Sequence, residues 1–313
     1  MMKHILVTGG AGFIGSNTTK YAIDKGFTVS VLDTFENAVI SKDDLLKLGA
    51  QVLELDIQDP RGLETVSGPF DAIVHLAAQV SVPKSIQNPE RNHSVNVSGT
   101  EHILEFAQRN NVKRFIFASS SAVYGNCETM PLSENADGKL QSPYAQSKLD
   151  MEQRIDACFQ QGSEFLSLRF FNVYGPKQRL DSNYGAVVPI FIDRFRQGIQ
   201  PTIYGSGRQS RDFVNVRDIA RLLVDLSIGE WPQPKQSVYN VGTGHSVTIV
   251  ELASLIHQLS QSKIAFEPSF QPERNGDIEH SVASIEAIMR DLKWKPEISL
   301  VDGLRELIEV NSS

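Results

Sequence analysis

The sequence predicts an α/β fold, a doubly wound parallel sheet joined to a smaller, mixed C-terminal region. Three observations lead there. Short apolar runs at residues 5–8, 29–32, 52–55, 72–76 and 115–118 are each bounded by turn residues and followed by an amphipathic stretch, which is the pattern of βαβ units. The runs lack polar alternation, as strands covered on both faces do. Beyond Asn172 glycine and proline become frequent, apolar runs shorten, and arginines gather in loops at Arg179, Arg208, Arg211 and Arg274.

Taken in order, the first run ends in a glycine-rich turn that opens a helix, and the next four continue the sheet. A further run at 165–171 reads as another of its strands. Residues 1–171 then form the expected main domain, and 172–313 a smaller region that lids it. The boundary is not one clean cut, because 204–228 reads as a strand and helix returning to the main sheet. The segment 231–234 (WPQP) reads as a surface turn.

A net charge of −7 over 313 residues argues against nucleic acid or an anionic membrane as the main partner. It does not exclude a small anionic ligand held by local arginines. The two cysteines, Cys127 and Cys158, form no framework and no CxxC pair, which suits a reducing cytoplasm. The apolar run near the N-terminus is too short for a signal peptide, and no segment is long enough to span a bilayer. The expected location is cytoplasmic. Seven histidines show no metal-ligand spacing, so no metal site is expected. A GxSxG nucleophile elbow is also missing.

Residues 5–15 read ILVTGGAGFIG. Gly10, Gly12 and Gly15 satisfy GxGxxG, and Gly9, Gly12 and Gly15 also give GxxGxxG. Glycine permits the tight turn and lets backbone approach a pyrophosphate, while the helix N-terminus offers free N–H donors and a positive dipole end. Asp33 ends the second strand. Its carboxylate is placed to accept a ribose 2′-hydroxyl and to repel a 2′-phosphate, so the expected cofactor is NAD and the main domain is of Rossmann type. Asp56 ends the third strand, where an acid could meet adenine.

Residues 142–148 read SPYAQSK. Ser142 suits a helix N-cap and Pro143 its first turn. Tyr144 and Lys148 are four apart and share a helix face. A phenol is a poor base at neutral pH, and a nearby ammonium together with a cationic nicotinamide would favour the phenolate. Tyr21 and Lys25 have the same spacing and read only as a solvated helix face. What sets Tyr144 apart is the preceding strand, which ends in Ser119, Ser120 and Ser121. Strand C-termini line the ligand crevice of a parallel sheet, so these hydroxyls could reach the oxygen on which Tyr144 acts.

With these motifs assembled, the chain resembles the extended short-chain dehydrogenase/reductases, in their epimerase/dehydratase branch. The resemblance runs through essentially the whole sequence. It rests on 8–15 (TGGAGFIG), 75–78 (HLAA), 96–100 (NVSGT), 119–125 (SSSAVYG), 142–148 and 169–176 (RFFNVYGP), and further on 203–213 (IYGSGRQSRDF) and 274–277 (RNGD). It implies that Tyr144 is the base, that Lys148 is its partner and a ribose contact, and that Ser120 or the adjacent Ser121 is the catalytic hydroxyl. Cofactor contacts are implied for Gly9, Gly12, Phe13, Ile14, Gly15, Asp33, Asp56, Ile57, Leu76, Ala77, Ala78, Asn96 and Phe171. Substrate contacts are implied for Asn172, Val188, Tyr204, Arg211, Arg274 and Asp277, with Asn172, Arg211 and Arg274 on a nucleoside diphosphate. A bidentate guanidinium is well suited to phosphate.

Within that branch, epimerases, 4,6-dehydratases and decarboxylases share oxidation at C4. Dehydratases resemble one another in an Asp-Glu pair just before the VYG segment, and decarboxylases tend to have a Glu there. Here Ser121 and Ala122 stand in that place, so the resemblance points to a nucleotide-sugar 4-epimerase working through a 4-keto intermediate. Ser281 falls at a gatekeeper position where a small residue resembles enzymes that admit an N-acetyl group. This favours UDP-GlcNAc/UDP-GalNAc, with UDP-Glc/UDP-Gal also open. Other readings are a UDP-glucuronate 4-epimerase, with Arg179 on the uronate carboxylate, a dehydratase or reductase, or a silent NAD-binding regulator. The resemblance also implies a homodimer formed through helices near 97–109 and 144–160.

Overall fold

The computed structural model describes residues 3–180, 187–273 and 278–310. The strands in chain order are β1 (His4–Thr8), β2 (Thr28–Asp33), β3 (Gln51–Glu54), β4 (Ala72–His75), β5 (Arg114–Ser120), β6 (Glu164–Phe170) and β7 (Asn172–Tyr174). They continue with β8 (Thr202–Tyr204), β9 (Ser210–Asn215), β10 (Val238–Val241), β11 (Ser246–Thr248), β12 (Ser269–Gln271) and β13 (His280–Ser281). The helices are α1 (Phe13–Asp24), α2 (Lys42–Leu48), α3 (Pro60–Glu64), α4 (Val82–Gln87), α5 (Pro89–His93) and α6 (Gly99–Arg109). After them come α7 (Pro143–Gln160), α8 (Val187–Arg196), α9 (Val216–Ile228), α10 (Ile249–Leu259), α11 (Glu286–Asp291) and α12 (Leu300–Val310).

Seven strands form one sheet in the order β10-β6-β5-β4-β1-β2-β3, and every pairing in it is parallel. The order reverses between β1 and β4, which puts the ligand crevice beyond the carboxyl ends of those strands. Side chains alternate across the pleat. Ile5, Val7, Val31, Val74 and Ile116 pack on one side with Ala22 of α1 and Ile219 and Leu223 of α9. On the other side Leu6, Leu32, Ile73, Phe115 and Phe117 pack with Ile103 and Phe106 of α6 and Met151 and Ile155 of α7. Burial on both faces is why the runs of the five strands other than the edge strand β3 show no polar alternation.

The smaller region is organised around β9. It pairs with β7 and β13 in parallel and with β11 antiparallel, while β8 and β12 form a separate pair. Phe191, Ile192 and Phe195 of α8 pack with Leu252 and Ile256 of α10 and Leu304 of α12.

The structure corrects the reading of 204–228 in one respect. Helix α9 does return to pack on the main sheet, but β9 does not pair with that sheet. The additional main-sheet strand is β10, beside β6. An apolar run specifies a strand, whereas the neighbour it pairs with is decided by where the chain travels in three dimensions.

Candidate active site

The glycine turn leaves β1 at the sheet reversal. Gly9 has φ +69°, and a Cβ there would lie 2.7 Å from the Ala77 amide nitrogen, so the turn and the loop after β4 touch backbone to backbone. A Cβ on Gly15 would run into the Gly9 carbonyl oxygen. Gly12 is the N-cap of α1 and gives it no side-chain cap, which leaves the first-turn N–H groups around Phe13, Ile14 and Gly15 facing the crevice as an anion site. The Asp33 carboxylate accepts from the Ala11 amide at 2.9 Å and the Phe35 amide at 2.8 Å, fixing it against the turn. These features fit the pyrophosphate and adenosine ribose of a dinucleotide.

Other residues expected at the cofactor sit along the same edge. Leu76 donates its amide to Thr8 O at 3.1 Å, and Ala77 and Ala78 follow it. His75 beneath them is buried between the Thr8 and Thr100 hydroxyls at 2.7 and 2.9 Å, and burial pushes its pKa down to about 3. It is a neutral structural residue. Asp56 caps its own turn by accepting from the Gln58 amide at 2.8 Å. Ile57 is buried against Gly99. Asn96 sits in a π-turn leading into α6, but its amide is already engaged. Its Oδ1 accepts from the Gln79 amide at 2.7 Å, and its Nδ2 donates to Gln79 O and the Ser147 hydroxyl, both at 3.1 Å. Its side chain therefore clamps the loop after β4 to α7.

Helix α7 starts as its sequence requires, with Ser142 accepting from the Ala145 amide at 3.2 Å and Pro143 in the first turn. Tyr144 and Lys148 are 8% and 4% exposed. The Ser120 side chain lies close enough to the Tyr144 hydroxyl to work against the effect of burial on its pKa. Ser120 lies at the end of β5, and Ser121 begins the short 3-10 turn that follows. Of the two hydroxyls left open by the sequence, Ser120 is the one that meets Tyr144. The spacing twin Tyr21–Lys25 also stacks, with the ammonium 5.4 Å from the ring centre, but Lys25 is exposed and ends its helix.

The sequence expects the Lys148 ammonium, together with a bound nicotinamide, to favour the Tyr144 phenolate. In the structure the ammonium lies 5.9 Å from the centre of the phenol ring. It donates to Ala118 O at 2.7 Å and lies over the Phe117 ring at 4.6 Å. Burial pushes Lys148 down from 10.5 to about 7, with Glu152 working in the opposite direction. Burial also pushes the Tyr144 phenol up, opposed by the neighbouring Ser120 hydroxyl. Desolvation penalises both charged forms and is the largest influence on each.

Phe171 is buried against Tyr124 beside this site. Asn172 opens β7 opposite Phe213 of β9. Arg211 of β9 lies in register with Ser281 of β13, and its guanidinium donates to Ser210 O at 2.9 Å. Tyr204 ends β8, partly exposed. Val188 is 1% exposed in the apolar core of the smaller region, so only its backbone is left to meet a ligand. Arg274 and Asp277 lie outside the described residues.

The motif reading passed over three features. Ser85 of α4 accepts the Tyr144 amide at 3.3 Å. Asp212, next to Arg211, accepts from the amides of Thr243, Gly244 and Ala283 and from the Thr243 hydroxyl, tying three segments behind the substrate side. Glu152 continues the Tyr144–Lys148 stripe of α7 by one more turn, and that periodicity was the available signal.

A sheet edge that offers a pyrophosphate cradle beside a buried phenol–hydroxyl pair is the arrangement of a nicotinamide-dependent enzyme. The chain belongs to the NAD dependent epimerase/dehydratase family, whose model matches residues 5–242. Its cofactor is NAD. Among solved structures it is similar to a UDP-N-acetylglucosamine 4-epimerase from Methanobrevibacter ruminantium in complex with UDP-N-acetylmuramic acid. The two share 34% identity and a TM-score of 0.90 over 100% of this chain and 99% of that one. It is also similar to the UDP-glucose 4-epimerase of Thermotoga maritima with UDP-glucose, at 32% identity and a TM-score of 0.89 over 99% and 98% of the chains. A third relative is the UDP-N-acetyl-alpha-D-glucosaminuronate decarboxylase of Bacillus cytotoxicus, 31% identical over 99% of this chain and 98% of that protein.

Proposed function

We propose that the protein is a 4-epimerase of UDP-hexoses, acting on UDP-GlcNAc/UDP-GalNAc, on UDP-Glc/UDP-Gal, or on both pairs. The observation that carries this reading is the buried Tyr144 phenol of α7 set beside Ser120 at the end of β5, with Ser121 and Ala122 following. Inversion at C4 needs one acid/base group. Elimination of water needs a further acid and base, and neither Ser121 nor Ala122 can serve.

Bound NAD supplies a reversible hydride acceptor. Tyr144 takes the proton of the C4 hydroxyl, and Ser120 hydrogen-bonds the same oxygen. Lys148, one turn along α7 from Tyr144, would contact the ribose of bound NAD. Asn172, Arg211 and Arg274 hold the diphosphate, leaving the sugar loosely bound so that the keto ring can present its opposite face. Tyr144 then returns the proton. Ser281, small and buried beside Arg211, leaves room for an N-acetyl group. We further propose a cytoplasmic homodimer formed through α6 and α7.

The test is to incubate purified protein, without added cofactor, with UDP-GlcNAc, UDP-Glc and UDP-GlcA separately while following the anomeric protons by NMR. A C4 epimer from either of the first two supports the proposal and selects the sugar. An epimer from UDP-GlcA alone makes the protein a uronate epimerase. No epimer from any of the three, with NAD confirmed bound, removes the UDP-sugar reading.

A further inference from the structure

We propose that the buried Glu152–Arg169 pair is a positioning device for the reaction, setting the end of β5 against the catalytic face of α7 and carrying that alignment to the substrate side. This rests on the epimerase reading above.

The geometry begins with register. Ser119 of β5, Arg169 of β6 and Asn240 of β10 are side by side across three strands. Glu152 reaches them from α7, one turn beyond Lys148. Its carboxylate accepts from the Ser119 hydroxyl, from Arg169 Nε at 2.9 and 3.2 Å, and from Arg169 Nη2 at 2.6 Å. The Glu152 and Arg169 side chains are 3% and 9% exposed. Ser119 directly precedes Ser120, so a carboxylate on α7 pins the residue adjoining the hydroxyl that meets Tyr144.

From Arg169 the network runs toward the substrate. Its Nη1 donates to Glu134 O at 2.8 Å, and its guanidinium lies 4.8 Å from the Tyr124 ring centre. The Tyr124 hydroxyl donates to Asn240 Oδ1 at 2.5 Å, and Asn240 Nδ2 donates to Leu132 O at 2.8 Å. Leu132 in turn bridges Ala283, two residues beyond Ser281. One connected set of hydrogen bonds and a ring contact thus joins the acid/base side to the segment just after Ser281.

Core packing alone is a weak explanation for such a pair, because apolar side chains of the same volume commonly stabilise a core as well or better. Glu152 has a second role that an apolar residue could not take. The groups facing Lys148 are Tyr144 and Glu152 on its own helix, His75 on β4, and the Phe117 ring and Ala118 carbonyl on β5. His75 is neutral, so Glu152 is the anion that acts on the buried ammonium.

The experiment compares wild type with Glu152→Gln, which keeps shape and removes charge. It adds the double variant Glu152→Leu with Arg169→Met, which removes both charges and leaves no unpaired one. Melting temperature and retained NAD establish folding. Kinetics on the accepted UDP-sugar give kcat, KM and the pH profile. Both variants are expected to lose kcat on the order of 10²-fold with KM nearly unchanged. The alkaline limb of kcat in Glu152→Gln should move to lower pH, because the Lys148 ammonium has lost its anion. A folded, NAD-loaded double variant with wild-type kcat and pH profile would overturn the proposal. If wild type converts no UDP-sugar, the epimerase reading fails separately. The pair is then judged by NMR titration of carbon-13-labelled lysines, where Lys148 should titrate lower in Glu152→Gln, and an unmoved titration overturns the proposal.

Discussion

Tyr144 and Lys148 stand one helical turn apart, yet the ammonium donates to the Ala118 carbonyl at 2.7 Å and lies 5.9 Å from the centre of the phenol ring. The hydroxyl set beside the Tyr144 phenol is that of Ser120. The division of labour between these residues leads to outcomes that can be checked one at a time.

Tyr144→Phe removes the phenol oxygen and keeps the ring. Epimerisation should fall by at least about 10²–10⁴-fold, the usual contribution of a positioned acid/base group. Melting temperature and NAD content should stay close to wild type. Substantial remaining turnover in the NMR assay would mean that another group takes the proton.

Lys148 carries a pH dependence whose sign follows from its burial. Its folded pKa lies near 7 and its ordinary value is 10.5. Between those values the unfolded chain binds the proton and the folded one does not, so this residue's cost to stability falls as pH rises through that window. In cofactor-free protein, Lys148→Met should melt higher than wild type below pH 7, by a few kcal/mol of stability. The gap should close toward pH 10.5 while activity is lost throughout. Thermal melts across pH measure it, and a gap that widens with pH would contradict the assignment.

Asp33→Asn keeps an acceptor for the Ala11 amide but removes the charge. Affinity for NAD should fall by about tenfold, on the scale of one charge-assisted hydrogen bond. The discrimination against NADP should shrink further, because repulsion of the 2′-phosphate is lost. Calorimetric titration with both dinucleotides reads the two effects separately.

Gly15→Ala drives a methyl group into the Gly9 carbonyl. Overpacking of this kind costs about 1–3 kcal/mol, and the displaced turn should no longer hold the pyrophosphate. The protein should purify with far less NAD, seen in its ultraviolet absorbance ratio, and melt lower.

Ser281→Tyr tests the sugar assignment. The residue is 5% exposed and in register with Arg211, so a bulky ring there should block N-acetyl substrates while sparing plain hexoses. The ratio of kcat/KM for UDP-GlcNAc over UDP-Glc is expected to drop by more than about tenfold. An unchanged ratio would remove Ser281 from the sugar pocket.

What the sequence alone determined is local. Runs of buried aliphatic and aromatic residues named five strands of the main sheet, because a strand covered on both faces writes its burial directly into composition; the edge strand β3, only half-buried, was named by its Val52-Leu53 pair between turn residues. The glycine turn, Asp33, and the Ser142–Pro143 start of α7 were legible because each meets a backbone requirement within a few residues. Tertiary structure decided everything that depends on which segments meet. It put the four-residue β10 rather than β9 beside β6, turned Asn96 toward Gln79 and Ser147, and buried Val188 in a core. It also set Ser120 rather than Ser121 beside Tyr144, and sank Lys148 until desolvation outweighed the pull of Glu152. Spacing along a chain fixes which face of an element a residue occupies. Only the assembled core fixes what that face touches and how far from water it sits, and those two quantities set the chemistry.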